Sequence, residues 1–237
     1  MALTLLAMAQ AAADEISFTR PASLFSKPDT TARQMLALAN REGAEQSSLG
    51  EWPQLRREYT FSTVVGVDNY AMPADFSRVL AATEWDRGAR WPLNGPLTPQ
   101  EWQVMKSGFG NLGPRRRFRF MQGRLYLDPV PDNVTTISYE YMSTGWALAA
   151  DGATFRSPWA ADSDTFALDD QVFTDGIKWR FLAAKGMEYS AERADWKAAL
   201  DRAFGRAASN RTLSMGQPNS SFRLLSAANI PDTFPAS

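Results

Sequence analysis

The fold is decided by the stretch RRRFRFMQGRLYLDPVPDNVTTISYEYMS at residues 115–143. Apolar and polar side chains alternate along it, which predicts strands at 116–121, 124–128 and 135–143. The first two strands are joined around Gln122-Gly123. The centre of the chain is therefore predicted to be a mainly antiparallel β-sheet.

The alternation continues on the N-terminal side of this stretch, where four residues alternate with polar or small ones: Tyr59, Phe61, Thr63 and Val65. Residues 66–69 have the composition of a turn, and Tyr70 and Met72 resume the alternation before Pro73. This pattern predicts a β-hairpin. A further strand is predicted at 78–86, which makes residues 56–143 the β-rich part of the chain.

Helices are predicted at both ends of the chain, at 1–52 and 165–208. The first residues resemble a secretory signal, but they lack its positively charged start, and their apolar residues fall near helical spacing. Asp29 or Thr30 can cap a second helix that runs to about Leu49.

A short helix is predicted to begin after Thr98, because Pro99 occupies its first position and Glu101 the position that completes a capping box. Two apolar stripes then predict C-terminal helices. The first comprises Val172, Phe173, Ile177, Phe181 and Ala184, and the second comprises Trp196, Leu200, Ala203, Phe204 and Ala207. Residues 144–164, rich in Ala, Ser, Asp and Gly, are predicted to form an exposed loop.

These elements predict an α+β fold in which a helical bundle packs with a mainly antiparallel β-sheet. The sequence has no clear linker, so residues 1–217 are interpreted as one domain. Residues 218–237 are interpreted as a separate C-terminal tail. No stretch reaches the roughly 20 apolar residues that a transmembrane helix needs, and no membrane partner is expected.

The amino-acid composition excludes several kinds of functional site. The chain has 237 residues, no cysteine, no histidine and a net charge of −1. It therefore lacks disulfides, thiolate metal sites and the commonest general base, and its bulk charge does not favour nucleic acid as the main partner. We expect no enzymatic activity, no metal and no cofactor.

One pair of carboxylates could be read as a catalytic dyad. Glu84 and Asp86 alternate on the strand predicted at 78–86 and would share a face. Arg87 and Arg90 flank them, so the favoured interpretation is a solvated, charge-balanced strand edge.

Aromatic residues interleave with a basic run. Phe118 and Phe120 alternate with its arginines, which are Arg115, Arg116, Arg117 and Arg119. One interpretation is contact with DNA phosphates or with an acidic neighbouring subunit. The other is an ordinary strand whose phenylalanines face inward and whose arginines face solvent.

The chain contains eight tryptophans. Trp85, Trp91 and Trp102 lie in the segment least able to bury them in regular structure. Because aromatic residues are enriched at subunit interfaces, these three are candidate interface residues, with a plain core role as the alternative.

The C-terminal tail is apolar without being periodic. Pro231 and Pro235 oppose regular structure there, and such a composition is unusual for a disordered segment. We expect the tail to become ordered on a partner surface through Phe222, Arg223, Leu224, Leu225, Ile230, Pro231 and Phe234.

Four segments of the chain resemble the head-to-tail adaptor proteins of tailed bacteriophages, the tail tubular protein A-like or connector proteins. The resemblance spans roughly residues 30–205, and its most specific part runs from Trp91 to Trp102. The four segments are LALANREG (36–43), EWPQLRREYTF (51–61), YAMPADFSRVLAATEWDRGARWPLNGPLTPQEWQVMKS (70–107) and IKWRFLAAKGMEYSAERADWKAAL (177–200).

The resemblance implies a structural subunit of the virion, assembled in the bacterial cytoplasm, in a ring of usually about twelve copies. Such a ring docks under the portal, contacts the tail or nozzle proteins, and continues the channel through which DNA passes without sequence specificity. The resemblance therefore makes the portal the expected partner surface for the C-terminal tail, residues 218–237. The main alternative is a carbohydrate- or peptide-binding module that uses exposed tryptophans, and a third is a carboxylate-pair glycosidase.

Overall fold

Helices lie at both ends of the described part of the chain in a computed structural model that describes residues 2–26, 28–108 and 116–207. Four of the helices begin with a side-chain cap, supplied by Thr4, Asp29, Thr98 and Asp169, each of which accepts a backbone N–H of the first turn. The helices are α1 (Leu5–Glu15), α2 (Thr30–Ser48), α3 (Pro99–Lys106), α4 (Asp170–Ala184) and α5 (Ser190–Ala207).

Short strands form the middle of the chain. They are β1 (Arg56–Ser62), β2 (Asn69–Ala71), β3 (Phe76–Val79), β4 (Trp85–Asp86), β5 (Trp91–Pro92), β6 (Arg117–Met121), β7 (Arg124–Asp128), β8 (Thr136–Ser143), β9 (Ala147–Leu148), β10 (Phe155–Arg156) and β11 (Thr165–Phe166). The largest sheet has the order β1-β8-β4-β5, with β3 also paired to β8. The other two have the orders β2-β7-β6 and β10-β9-β11, and every strand pair is antiparallel.

The two larger sheets pack on each other around an aromatic core. Phe118 lies opposite Leu127 in the β6-β7 ladder, and both side chains are fully buried. They meet Ile137, Tyr139 and Tyr141 from β8. The alternation of the central segment therefore places one face of each sheet in a sandwich core.

The helices have a core of their own. Met8 of α1, Met35 of α2 and Phe181 of α4 are fully buried in it. Met142, near the end of β8, belongs to the same cluster. Because β8 also supplies the sandwich core, this one strand connects the two cores.

A buried ion pair holds three helices together. Glu42 of α2 accepts from the Arg180 guanidinium of α4 and, at 2.8 Å, from the Trp196 indole N–H of α5. Gln46 donates a further bond at 2.6 Å, and Glu45 pairs with the other side of Arg180 at 2.8 Å. Burial raises the pKa of the Glu42 carboxyl, and its hydrogen bonds and the charge of Arg180 oppose that rise.

The predicted α+β class is confirmed, as are an N-terminal helix, observed at Leu5–Glu15, and the capping box at Thr98, Pro99 and Glu101. The strands predicted at 116–121, 124–128 and 135–143 are present within one residue of those bounds. Among the described residues, no helix is long and apolar enough to cross a membrane. Residues up to Ala207 form one compact unit.

The hairpin predicted between Tyr59 and Met72 is wrong. β1 and β2 both exist, but β1 pairs with β8 and β2 pairs with β7, in different sheets. The turn at 66–69 therefore carries the chain from one layer of the sandwich to the other. Local alternation identified the strands correctly and could not identify their partners, which lie more than fifty residues away.

Two further predictions need correction. The strand predicted at 78–86 is interrupted, because the chain turns at Ala82, which has a φ of 64°. Its two halves, β3 and β4, lie along the same side of β8. Residues 144–164 are not simply an exposed loop, since they contain β9 and β10 and bury Trp146 and Trp159 in the helical core.

Candidate assembly surfaces

Five exposed valines lie on two loops that are joined at one end of the sandwich. They are Val64, Val65, Val67, Val130 and Val134, which we call the valine tip. Val64, Val65 and Val134 are 55%, 57% and 68% exposed. Clustered apolar side chains at such exposures are candidates for an interaction surface.

Hydrogen bonds hold the valine tip in one shape. The Gly66 N–H donates to the Pro131 carbonyl at 2.9 Å, which joins the two loops that carry the valines. The Tyr70 hydroxyl accepts from the Val64 N–H at 3.0 Å and donates to the Val67 carbonyl at 2.8 Å. The valines are thus exposed on an ordered backbone, which reduces the entropy lost when a partner covers them.

The alternation of Tyr59, Phe61 and Val65 extends the predicted strand to Val65 and so gives no sign of this surface. The strand ends at Ser62, and Thr63 turns inward while Val64 and Val65 do not. The adjacent pair Val64-Val65 already broke the alternation. That break was the signal in the sequence that the strand had ended.

Arg116 is tied into the sandwich beside the valine tip. Its guanidinium lies 3.0 Å from Asp86 and 3.2 Å from Asp132, and it donates to Asn133 at 2.8 Å. The side chain is only 12% exposed. The expectation that the arginines of this run are solvated is therefore wrong for Arg116, which neutralises a buried carboxylate.

The predicted solvated edge at Glu84 and Asp86 is also wrong, because both residues are buried. Asp86 accepts from the Thr135 hydroxyl and from the Ala89 N–H at 2.9 Å, in addition to its pair with Arg116. Burial raises the pKa of the Glu84 carboxyl. Asp86 thus has three structural partners, and its bond from the Ala89 N–H fixes the β4-β5 turn.

The rest of the arginine run follows the strand interpretation in part. Phe118 is fully buried, while Arg117 and Arg119 lie half-buried on the other face of β6. Arg115 lies outside the described residues.

The three candidate interface tryptophans differ in exposure. Trp91 on β5 is 40% exposed and Trp85 is half-buried. Trp102 is buried within its own chain, with the Tyr126 ring 6.4 Å and the Lys106 ammonium 5.0 Å from its ring. Trp102 is thus covered by its own chain, because α3 folds it onto the sheet.

A concave surface lies at the opposite end of β8. This cleft has a volume of about 450 Å³ and opens between α2, β3 and the end of β8. Ala44, Met142, Trp146 and Pro158 supply its apolar wall, and Arg78 is the one charged residue of its lining. Leu49, beside the lining residues Ser48 and Gly50, is 48% exposed.

The structure gathers no metal-ligand cluster within residues 2–26, 28–108 and 116–207. The predicted tail residues, Phe222, Arg223, Leu224, Leu225, Ile230, Pro231 and Phe234, all lie outside the described part of the chain.

Comparison with known proteins identifies one family. The family model described as SU10 adaptor protein matches residues 3–221. No curated protein matches the chain.

Proposed function

The chain belongs to the SU10 adaptor protein family, and we propose that it forms a ring that joins a phage portal to the tail and continues the DNA channel. The family assigns it a structural role as an adaptor in the phage particle, in association with other head and tail proteins. The proposal adds the ring of about twelve copies, the portal and tail contacts, and assembly in the host cytoplasm.

The observation that carries the proposal is the family match, which covers residues 3–221. The exposed valine tip supports it, because apolar side chains gathered on the surface are often covered by a partner. Trp91 also supports the proposal, because it is an accessible aromatic side chain. We propose that Trp91 contacts a neighbouring subunit.

Within the proposed ring, Arg117 and Arg119 are the members of the basic run that we place toward the DNA channel or an acidic neighbour. Arg116 is assigned to the subunit's own stability, because its ion pair with Asp86 occupies it. Contacts with passing DNA would involve phosphates and not bases, so they would carry no sequence specificity.

We further propose that residues 218–237 dock on the portal through the apolar side chains named above. Truncation after Gln217 tests this. The expected product has unchanged thermal stability and no longer attaches to portals. A truncated chain that melts markedly earlier and still joins heads would place the tail in the subunit's own core.

The experiment that tests the ring is electron cryomicroscopy of the full chain mixed with the portal protein of its own phage. We expect closed rings seated on the portal, with the number of copies counted directly from the images. A chain that remains monomeric both alone and with the portal would overturn the proposal.

The alternative of a carbohydrate- or peptide-binding module loses its main support. Five of the eight tryptophans, Trp52, Trp102, Trp146, Trp159 and Trp196, are buried. Trp85 and Trp179 are half-buried, and Trp91 alone passes one third exposure. A glycan platform needs several accessible aromatic rings on one surface.

A further inference from the structure

We propose that the open edge of β1 pairs with the same edge of a second copy of this chain, in an antiparallel two-fold dimer centred on Thr60. The inference goes beyond the proposed function, because it concerns the subunit free in solution before it joins a ring. A two-fold contact closes on two copies and cannot build a larger ring by itself. The dimer would instead cover the β1 edge until assembly.

The direction of its backbone groups defines the open edge of β1. This strand is the outermost one of the largest sheet and pairs with β8 over seven consecutive residues without a bulge. In the same register the Thr63 N–H donates to the Thr135 carbonyl at 2.8 Å, so Thr63 and every second residue before it turn their backbone groups toward β8. The residues between them, Glu58, Thr60 and Ser62, turn their N–H and C=O groups away from β8. Within the described part of the chain, nothing bonds to these six groups.

Both ends of this open stretch are closed. The Arg56 N–H is bonded to the 3-10 turn that precedes β1, and the Arg56 carbonyl accepts from the Arg57 guanidinium at 3.0 Å. At the other end the Val64 N–H donates to the Tyr70 hydroxyl at 3.0 Å, and the Val64 carbonyl accepts from the Val67 N–H at 3.1 Å. The open stretch is therefore symmetrical about its middle residue.

One register satisfies every free backbone group. When Thr60 lies opposite Thr60 of the second copy, Glu58 lies opposite Ser62 on both sides of the two-fold axis. Three hydrogen-bonded pairs then form, and the two bonds in each pair use all the free groups of both strands. A shift of two residues in either direction puts a free residue opposite Arg56 or Val64, whose backbone groups are already bonded. A shift that puts Glu58 opposite itself would also set two carboxylates side by side.

The side chains favour the same register. Tyr59 and Phe61 are half-buried at this side of the sandwich, with their ring centroids 5.8 Å apart. In the register centred on Thr60, Tyr59 of each copy lies opposite Phe61 of the other, in non-hydrogen-bonded pairs whose side chains are close. Aromatic pairs at such positions stabilise antiparallel strands and would cover ring surface that the single chain leaves in water. Val64 and Val65, both exposed, follow β1 directly and extend the apolar part of the contact.

The other outer strands of the described sheets are protected. Residues 94–97 cover the outer edge of β6 through backbone bonds with Arg116 and Phe118. A bulge interrupts β3, β5 contains Pro92, and β2, β10 and β11 have three residues or fewer. Short length, prolines and bulges all prevent a sheet edge from pairing with another chain. β1 has none of these three protections, which makes its edge a template for a further strand.

Single cysteines test the register, because the chain contains no cysteine. In the proposed dimer the two copies of Thr60 have Cα atoms about 5.5 Å apart, within the range of a disulfide. Thr60→Cys should therefore give a covalent dimer under mild oxidation, seen by non-reducing electrophoresis.

Glu58→Cys and Ser62→Cys are the matched controls for this experiment. Each cysteine would be separated from its own mate by four residues of strand, about 14 Å, so neither variant alone should cross-link. An equal mixture of the two variants should cross-link, since positions 58 and 62 lie opposite each other.

A proline variant measures the contribution of the backbone bonds. Thr60→Pro removes an N–H that faces away from β8, where an edge strand tolerates proline. It should weaken the dimer at least about tenfold in analytical ultracentrifugation, because both bonds of the central pair are lost. Ala71→Pro is the matched control, since the Ala71 N–H faces away from β7 on a different sheet edge. That variant should dimerise like the unmodified chain, and thermal melting checks that both variants fold.

The outcomes separate this inference from the ring. An unmodified chain that sediments as a monomer at every concentration overturns the inference, as does a folded Thr60→Cys variant that gives no covalent dimer. Equal cross-linking of Glu58→Cys or Ser62→Cys alone would show a shifted or unspecific contact and would overturn it as well. Rings on the portal without a dimer in solution would leave the proposed function standing. A dimer that forms in solution and never assembles on the portal would support this inference and overturn the ring.

Discussion

Replacing Arg180 by methionine removes the cation that neutralises the buried carboxylate of Glu42. The Arg180 side chain is 4% exposed and that of Glu42 is fully buried. Gln46 and Trp196 would still donate to Glu42, but its charge would be uncompensated in an apolar surrounding. Breaking such a pair from one side costs about 3–5 kcal/mol of unfolding free energy.

The thermal consequence follows from the size of the folded unit. At about 2–4 °C per kcal/mol for a domain of this size, Arg180→Met should lower the melting temperature by about 6–20 °C. Adding Glu42→Gln removes the stranded charge and keeps the side-chain shape. The double variant should therefore recover most of the loss.

The loss of stability caused by Arg180→Met should also depend on pH. Burial raises the pKa of Glu42, so the folded state retains its proton at a higher pH than the unfolded chain does. Protonation therefore favours the fold, and this favourable contribution is lost as pH rises through the raised pKa. Without Arg180 the pKa of Glu42 rises further. The loss of unfolding free energy caused by Arg180→Met should be largest at neutral pH and should become smaller as the pH falls.

Urea unfolding of the two single variants and the double variant, followed by circular dichroism at neutral and acidic pH, measures these effects. The matched control is Arg206→Met, which removes an exposed pair with Asp169 and should cost less than about 1 kcal/mol. A loss at Arg180 no larger than this control, or a double variant no more stable than Arg180→Met, would refute the reasoning.

Three other substitutions test the fold. Thr98→Ala should cost about 1 kcal/mol in urea unfolding by removing the capping box of α3, whereas Thr98→Ser should retain it. Gly176→Ala should cost at least about 1 kcal/mol because its Cβ would overlap the Glu42 side chain, while Gly205→Ala, with open space around it, should raise the melting temperature slightly. Arg116→Ser should lower the unfolding free energy by at least about 1 kcal/mol, because it leaves buried Asp86 without its cation. Arg119→Ser is the control, and a smaller loss at Arg116 than at Arg119 would show that the ion pair contributes nothing.

Elements specified by neighbouring residues could be predicted from the sequence. Thr98, Pro99 and Glu101 contain all that the start of α3 requires, and the structure has each in its predicted position. The stripe from Val172 to Phe181 likewise predicts the buried face of α4. In these cases the physical cause lies within one or two helical turns.

Features that depend on distant partners could not be predicted. Nothing near β1 indicates that it pairs with β8, about eighty residues later in the chain. The burial of Asp86 depends on Arg116 and Thr135, and both come from other elements. Among the candidate interface residues, the burial of Trp102 depends on the packing of α3 against Tyr126 of β7.

The connection of both cores through β8 has a mechanical consequence. β8 is hydrogen-bonded to β1 on one side and to β3 and β4 on the other, so it cannot slide in register without breaking both ladders. Because its residues pack into both cores, a force applied to the helical core is transmitted to the sandwich core through this strand. We expect the two cores to shift together, as one body, when such a load acts on the subunit.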